Sequence, residues 1–267
     1  MTEPDELVKL DIENNVAILT LNSPSTRNAV DGPFAQALSR RLSEVTAWRD
    51  QIKGMVLCAA GDHFMVGGNI RFFKDELAQP QTAPERIGQL VGAFNDAVRL
   101  LDKLPFPVVA VVQGAAAGAG LSLAVACDMI IATDDTRFVF AYSALGATPD
   151  GGGSWSLARR VGPQVAMHMY VFNEPMDAQR AHQLGLVASV VPRDSLQQTI
   201  QDTVDRLAAG SRGSLHNGKA LIRGGLTHSL HIALDKEKES FVALAGKADF
   251  AEGVDAFMQK RPPKFEA

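Results

Sequence analysis

Two hydrophobic periods alternate along this chain. "VAILTL" at 16–21 is a short β-type run that ends in the turn-rich "NSPSTRN". Asp31 and Pro33 then give a helix start signal, and Phe34, Leu38, Leu42, Val45 and Trp48 recur on one helical face. "IKGMVLCAA" (52–60) reads as a buried strand running into the glycine-containing loop "GDHFMVGGN". Residues 75–86 are polar and rich in Pro and Gln, which predicts a loop. Ile87, Leu90, Val91, Phe94, Val98, Leu101 and Leu104 mark a second amphipathic helix. "FPVVAVVQG" (106–114), "MIIAT" and "FVFA" are further β-rich runs, and "LVASVVP" (186–192) is the last. "SWSLARRVG" is helical, and everything after Asp194 reads as helix.

Strands alternating with helices predict an α/β core, and the last third predicts an all-helical extension. The boundary falls near 195–210, with "AAGSRGS" (208–214) as the joint. At 267 residues, 46% hydrophobic and 21% charged, the chain has the composition of a globular protein with a sizeable core. Its net charge of -4 gives no global field favouring nucleic acid or an anionic membrane, although "KRPPK" at 260–264 is locally basic. The start is acidic without a signal-peptide pattern, and no apolar run reaches the length of a membrane span. Cys58 and Cys127 sit in apolar stretches without metal spacing, so buried reduced thiols and a cytoplasmic location are expected.

Three glycine-rich loops carry the candidate chemistry: "FMVGGNI" (64–70), "GAAAGAGLSL" (114–123) and "LGATPDGGGSW" (145–155). Such loops let backbone N–H groups approach a ligand, and a helix N-terminus adds unpaired donors. Two donors converging on one point would form an oxyanion hole, whereas each loop alone is equally a tight turn. A dinucleotide site is disfavoured because the GxGxxG order is absent, and there is no GxxxxGK[ST] phosphate loop.

In this order the loops resemble those of the crotonase, or enoyl-CoA hydratase/isomerase, superfamily. "VAILTLNSPSTRNAV" resembles its N-terminal strand and turn, "HFMVGGNI" its first donor loop, and "QGAAAGAGLSLAVACDMIIA" its glycine-to-aspartate block. "EGVDAFMQKRPPKF" is similar to its C-terminal signature. The resemblance implies a spiral core of ββα turns over 1–200 that binds an acyl-CoA, with a helical trimerisation region over 201–267. It implies a homotrimer or dimer of trimers, no separate cofactor and no metal. The thioester carbonyl would accept backbone N–H bonds from Gly68 and Ala119. Gly67, Asn69, Ile70, Gly118 and Tyr142 are candidate substrate contacts beside them. Coenzyme A contacts map near Arg27 and, from a neighbouring subunit, Phe257 and Lys260.

The resemblance also separates reactions. The two glutamates of the family's hydratases fall on Ser122 and Tyr142 here, which points away from ordinary hydration. Asp150 is similar to the catalytic aspartate of the enoyl-CoA isomerase and epoxyphenylacetyl-CoA isomerase branch, and the following glycines would clear room for an acyl chain. The implied activity is a shift of an acyl-CoA double bond from the 3,4 to the 2,3 position by one carboxylate. "SWSLARRVG" also resembles the 4-chlorobenzoyl-CoA dehalogenase branch, with Tyr142 as an aromatic wall, but the histidine position of that branch falls on Asn95. An atypical hydratase, a dehalogenase-like or hydrolytic enzyme, and a non-catalytic CoA-binding member stay open. Structural roles are expected for Asp128 and Asn69, an exposed loop position for His63, helical positions without metal spacing for His168 and His182, and a surface turn for Asp134 and Asp135.

Overall fold

In a computed structural model, residues 6–266 are described. Strands β1 (Val8–Glu13), β2 (Val16–Leu21), β3 (Gly54–Ala59), β4 (Val108–Val112), β6 (Met129–Thr133) and β9 (Ser189–Val191) form one sheet in the order β1-β2-β3-β4-β6-β9. Only the β1–β2 hairpin is antiparallel. A smaller sheet holds β5 (Ala115–Ala117), β7 (Arg137–Val139) and β8 (Met176–Asp177). Isolated bridges from Val30 to Gly68 and from Met65 to Ala116 continue that second layer back to the earlier loops. Each turn therefore runs through a long strand, a short second-layer segment and then a helix. These are the repeated ββα turns expected from the family resemblance.

The helices are α1 (Gly32–Ala47), α2 (Ile70–Leu77), α3 (Ala83–Asp102), α4 (Ala119–Ala126), α5 (Gly153–Phe172) and α6 (Ala178–Gln183). After them come α7 (Leu196–Ala208), α8 (Arg212–Gly224), α9 (Leu230–Ala245) and α10 (Ala248–Met258). None of the helices among the described residues is long and apolar enough to cross a membrane.

Period-two side-chain alternation sends the central strands' residues into two cores. Leu19, Leu21, Met55, Leu57, Val108 and Ala110 join Phe34, Leu38 and Phe94 in the larger one. Val16, Val56, Cys58, Val109 and Val111 face Leu196, Val204 and Leu207 of α7 in the smaller. The boundary expected at residue 200 falls inside α7, a helix whose inner face closes the sheet.

Other sequence expectations need correction. The loop expected over 75–86 is helical at both ends, leaving only 78–82 between α2 and α3. Polar composition there reflects exposed helix faces, with Glu76 and Arg86 paired at 3.5 Å across the gap. Trp48 lies beyond α1 and is 51% exposed. Strands β1 and β8 carry too little apolar sequence to stand out, since β1 is an edge with several exposed positions and β8 spans two residues.

Asp128 ties the helical region to the core. One oxygen accepts from Val108 N–H at 2.8 Å and pairs with Lys219 Nζ at 2.8 Å, while the other pairs with Arg223 Nε at 2.8 Å. Lys219 also donates to Phe106 O at 2.8 Å. Burial lowers the Lys219 pKa, and Asp128 opposes that shift. Asp128→Asn should therefore cost about 3 kcal/mol of unfolding free energy, because it strands a buried ammonium. Lys219→Met in the same background should recover much of that loss, as read by urea denaturation of the single and double variants.

Candidate active site

The first two glycine loops lie against each other because their backbones pair. Met65 N–H donates to Ala115 O at 3.1 Å, and Ala117 N–H donates to Met65 O at 2.9 Å. On the other side, Val30 N–H donates to Gly67 O and Asn69 N–H to Val30 O, both at 2.8 Å. Gly67 and Gly118 adopt φ of +96° and +51°, a region open mainly to glycine. A Cβ on Gly67 would lie 3.7 Å from Ala119 N, and one on Gly118 would lie 3.7 Å from Gly67 Cα. Among the described residues, neither Gly68 N–H nor Ala119 N–H donates to a protein acceptor. Ala119 opens α4, so its free N–H is one of the unpaired donors of a helix N-terminus.

Asp31 and Asn69 set the approach of the adjoining helices. Asp31 Oδ1 caps α1 by accepting from Phe34 N–H at 3.1 Å. Asn69 Oδ1 caps α2 by accepting from Arg71 N–H at 3.1 Å, and its Nδ2 donates to Asp31 Oδ2 at 3.3 Å. Asn69 thus has the structural use expected of it. Ile70, the next residue, is exposed. The Phe73 ring lies where a side chain at 68 would project, with ring carbons 2.5 and 2.7 Å from the Cβ position.

Asp150 sits half-buried at the start of α5 without capping it, because Gly152 occupies the N-cap and no side chain caps that end. Tyr142 Oη donates to Asp150 Oδ1 at 2.6 Å and lies 2.9 Å from Ser122 Oγ. The Tyr142 ring is 8% exposed and meets Phe140 edge-on, with centroids 5.3 Å apart. Of the roles the sequence leaves open for it, wall, hydrogen donor or core residue, it has that of a buried hydrogen-bond donor. Asn95 Oδ1 accepts from Gly151 N–H at 2.9 Å, so α3 holds the backbone next to Asp150.

The glycines after Asp150 are a correction. A Cβ on Gly151 would strike the Phe94 ring and approach Ser122 Cβ to 3.2 Å. One on Gly153 would strike Ser122 Oγ and approach the Phe140 ring to 3.0 Å. Their missing side chains make room for protein atoms of α3, α4 and Phe140. Only Gly152 faces open space.

Burial raises the Asp150 pKa above the ordinary carboxylate value, while hydrogen bonds from Tyr142 and its own backbone N–H pull it down without prevailing. Burial, and then the negative charge of Asp150, drive the Tyr142 phenol far above its usual value. Tyr142 therefore remains protonated beside Asp150.

The other sequence candidates are spread over several parts of the chain. Arg27 is exposed in a left-handed conformation, and its carbonyl accepts from Val66 N–H at 3.3 Å in the first loop. Phe257 is 84% exposed and lines a separate cavity of about 740 Å³ among α8, α9, α10 and the C-terminal segment. Lys260 follows α10 with φ of 53°. His63 Nδ1 accepts from Ala115 N–H at 3.1 Å, and both cysteines are free and buried. The sequence reading assigned no role to Phe73 or Phe94. Glycine at 68 and 151 is the signal that would have found them, since each leaves space that a neighbouring ring fills.

The model of the enoyl-CoA hydratase/isomerase family matches residues 11–267. A 1,2-epoxyphenylacetyl-CoA isomerase of Escherichia coli is 36% identical over 262 residues, covering 97% of this chain and 98% of that protein. A probable enoyl-CoA hydratase of Rhodobacter capsulatus is 32% identical, with 97% of each chain covered. The crystal structure of an enoyl-CoA hydratase from a Polaromonas species matches with a TM-score of 0.88 at 34% identity, covering 97% of this chain and 99% of that one. The chain belongs to the enoyl-CoA hydratase/isomerase family, with its crotonase fold.

Proposed function

We propose that the protein is an acyl-CoA thioester isomerase that moves a double bond from the 3,4 to the 2,3 position, or carries out a related shift in a ring-derived CoA ester. The observation that carries this reading is Asp150, the carboxylate that remains where Ser122 and Tyr142 stand at the two positions of the hydratase glutamates. Similarity to the Escherichia coli 1,2-epoxyphenylacetyl-CoA isomerase supports the same branch.

In this reading the thioester carbonyl accepts from Gly68 N–H and Ala119 N–H, which stabilise negative charge developing on its oxygen. Asp150 takes a proton from C2, and the electron pair of that bond moves toward the carbonyl to give a dienolate. Asp150 then returns the proton at C4 while the double bond re-forms between C2 and C3. One proton leaves and one returns, so neither a cofactor nor water is consumed. Gly67 and Gly118 give the thioester close access to backbone, with Ile70 beside it. Arg27 and, from a neighbouring subunit, Phe257 and Lys260 are assigned to coenzyme A.

The region from 201 onward is assigned to assembly as a trimer or dimer of trimers. Ile222, Leu226, Leu230, Phe241, Phe257 and Met258 are exposed on α8–α10 and nearby turns, an apolar surface of the kind that a protein interface covers.

Asp150→Asn should lower kcat for 3-enoyl-CoA isomerisation by about 10³-fold while preserving thioester binding and oligomer size. Mass spectrometry combined with ultraviolet detection of the conjugated product reads this directly. Wild-type turnover in that variant, or water addition in place of migration, would overturn the reading.

Ala119→Pro removes the second donor, because proline, which is tolerated at the first helical position, has no N–H. It should reduce kcat by about 10²-fold or more with the circular dichroism spectrum unchanged.

A further inference from the structure

Ser122, Tyr142 and Asp150 come from three separate segments: α4, the stretch after β7, and the loop before α5. Their contacts form a chain of 2.9 Å and 2.6 Å. The phenol has one proton, and it points to Asp150 Oδ1. Ser122 must therefore donate its own proton to Tyr142 Oη, since that oxygen has only acceptor capacity left. The order runs Ser122 to Tyr142 to Asp150, ending on the group that carries negative charge. Among the described residues, no side chain donates to Asp150 Oδ2.

We infer that Ser122 and Tyr142 are positioning residues whose proton-ordered chain fixes the Asp150 carboxyl group, engages Oδ1 and presents Oδ2 as the oxygen that exchanges the substrate proton. This inference rests on Asp150 being the base. It gives the two residues at the hydratase-glutamate positions a shared task, exerted through Asp150.

The surroundings hold the chain in one arrangement. Ser122 is fully buried, and Tyr142 nearly so, with Phe140 edge-on to its ring. Gly151 and Gly153 bring the start of α5 against Ser122, where any side chain would collide. The groups packed against Gly151, the residue after Asp150, are Asn95 and Phe94 of α3, both uncharged, and Ser122 of α4. Among the described residues, Tyr142 is the titratable side chain acting on Asp150, with no lysine, arginine or histidine beside it.

A hydrogen bond to the ionised form lowers a carboxyl pKa, so removing it raises that pKa. Isomerisation needs ionised Asp150, so activity falls as pH drops through that pKa. Tyr142→Phe should move the acidic limb of kcat/KM upward by about one pH unit, and Ser122→Ala should move it the same way by less. KM for the 3-enoyl thioester should stay near wild type. The experiment measures pH profiles with 3-hexenoyl-CoA for wild type, both variants and Asp150→Asn. An infrared titration of the Asp150 carboxyl band, assigned by its loss in Asp150→Asn, reads the same shift without substrate.

Upward shifts in both measurements support the chain. If activity depends on Asp150 but neither variant moves the limb or the band, the chain is refuted and the isomerase reading stands. If Asp150→Asn is fully active, the isomerase reading falls, and the role of the chain in catalysis falls with it. Should Tyr142→Phe fail to fold, Ser122→Ala decides alone: an unmoved carboxyl band in that variant refutes the inference.

Discussion

The geometry of the site depends on the backbone pairing of Met65 with Ala115 and Ala117. These two hydrogen bonds join consecutive turns of the spiral and set the register of the first glycine loop against the second. A one-residue slip would turn every side chain to the opposite face, placing Phe64 and Met65 in each other's environments. The approach is close enough that a Cβ on Gly120 would strike Met65 O. The donors at Gly68 and Ala119 are therefore located by chain pairing and by the start of α4, with no contribution from their own side chains. Gly68 adds no side chain of its own, and the space where one would project is filled by the Phe73 ring.

The sequence revealed elements with strong periodicity and obscured those without it. Strands β3 and β4 are buried on both faces, so nearly every residue is apolar and the runs stand out. Helix α1 carried both its cap, Asp31, and its buried stripe. Strand β8 and the bridges at Val30 and Met65 are too short to carry a period, although they form the layer that positions the site. The polar 75–86 segment misled because an exposed helix face and a loop can share one composition. At the site, motif order singled out Asp150 and the glycine loops as candidates. The contact from Tyr142 to Asp150 depends on where β7 ends relative to α5, and local sequence does not encode that distance.

The glycines around Asp150 show how a local reading can be right about residue type and wrong about purpose. Three consecutive glycines suggested clearance for a ligand. Two of them instead admit Phe94, Ser122 and Phe140, which press the start of α5 into the core. Such packing excludes water from one side of the carboxylate, and that burial raises its pKa. Tight packing also limits the rotation of the side chains that oppose this shift. The ionisation of Asp150 thus follows from the same contacts that fix its position.

Uncharged residues at 122 and 142 have an electrostatic consequence for Asp150. Two carboxylates a few ångströms apart resist simultaneous ionisation, and one of them would hold a proton at neutral pH. With serine and tyrosine in those places, Asp150 is the one carboxylate of the cluster, and Tyr142 donates to it. Their protons are committed within the chain, that of Ser122 to Tyr142 and that of Tyr142 to Asp150. Neither hydroxyl is free to orient and deprotonate water while this order holds, and Tyr142 is too weak an acid to ionise near neutrality. A cluster with one charge and one exchangeable proton suits a reaction that removes and returns a single proton. It suits poorly a reaction that must also activate a second molecule.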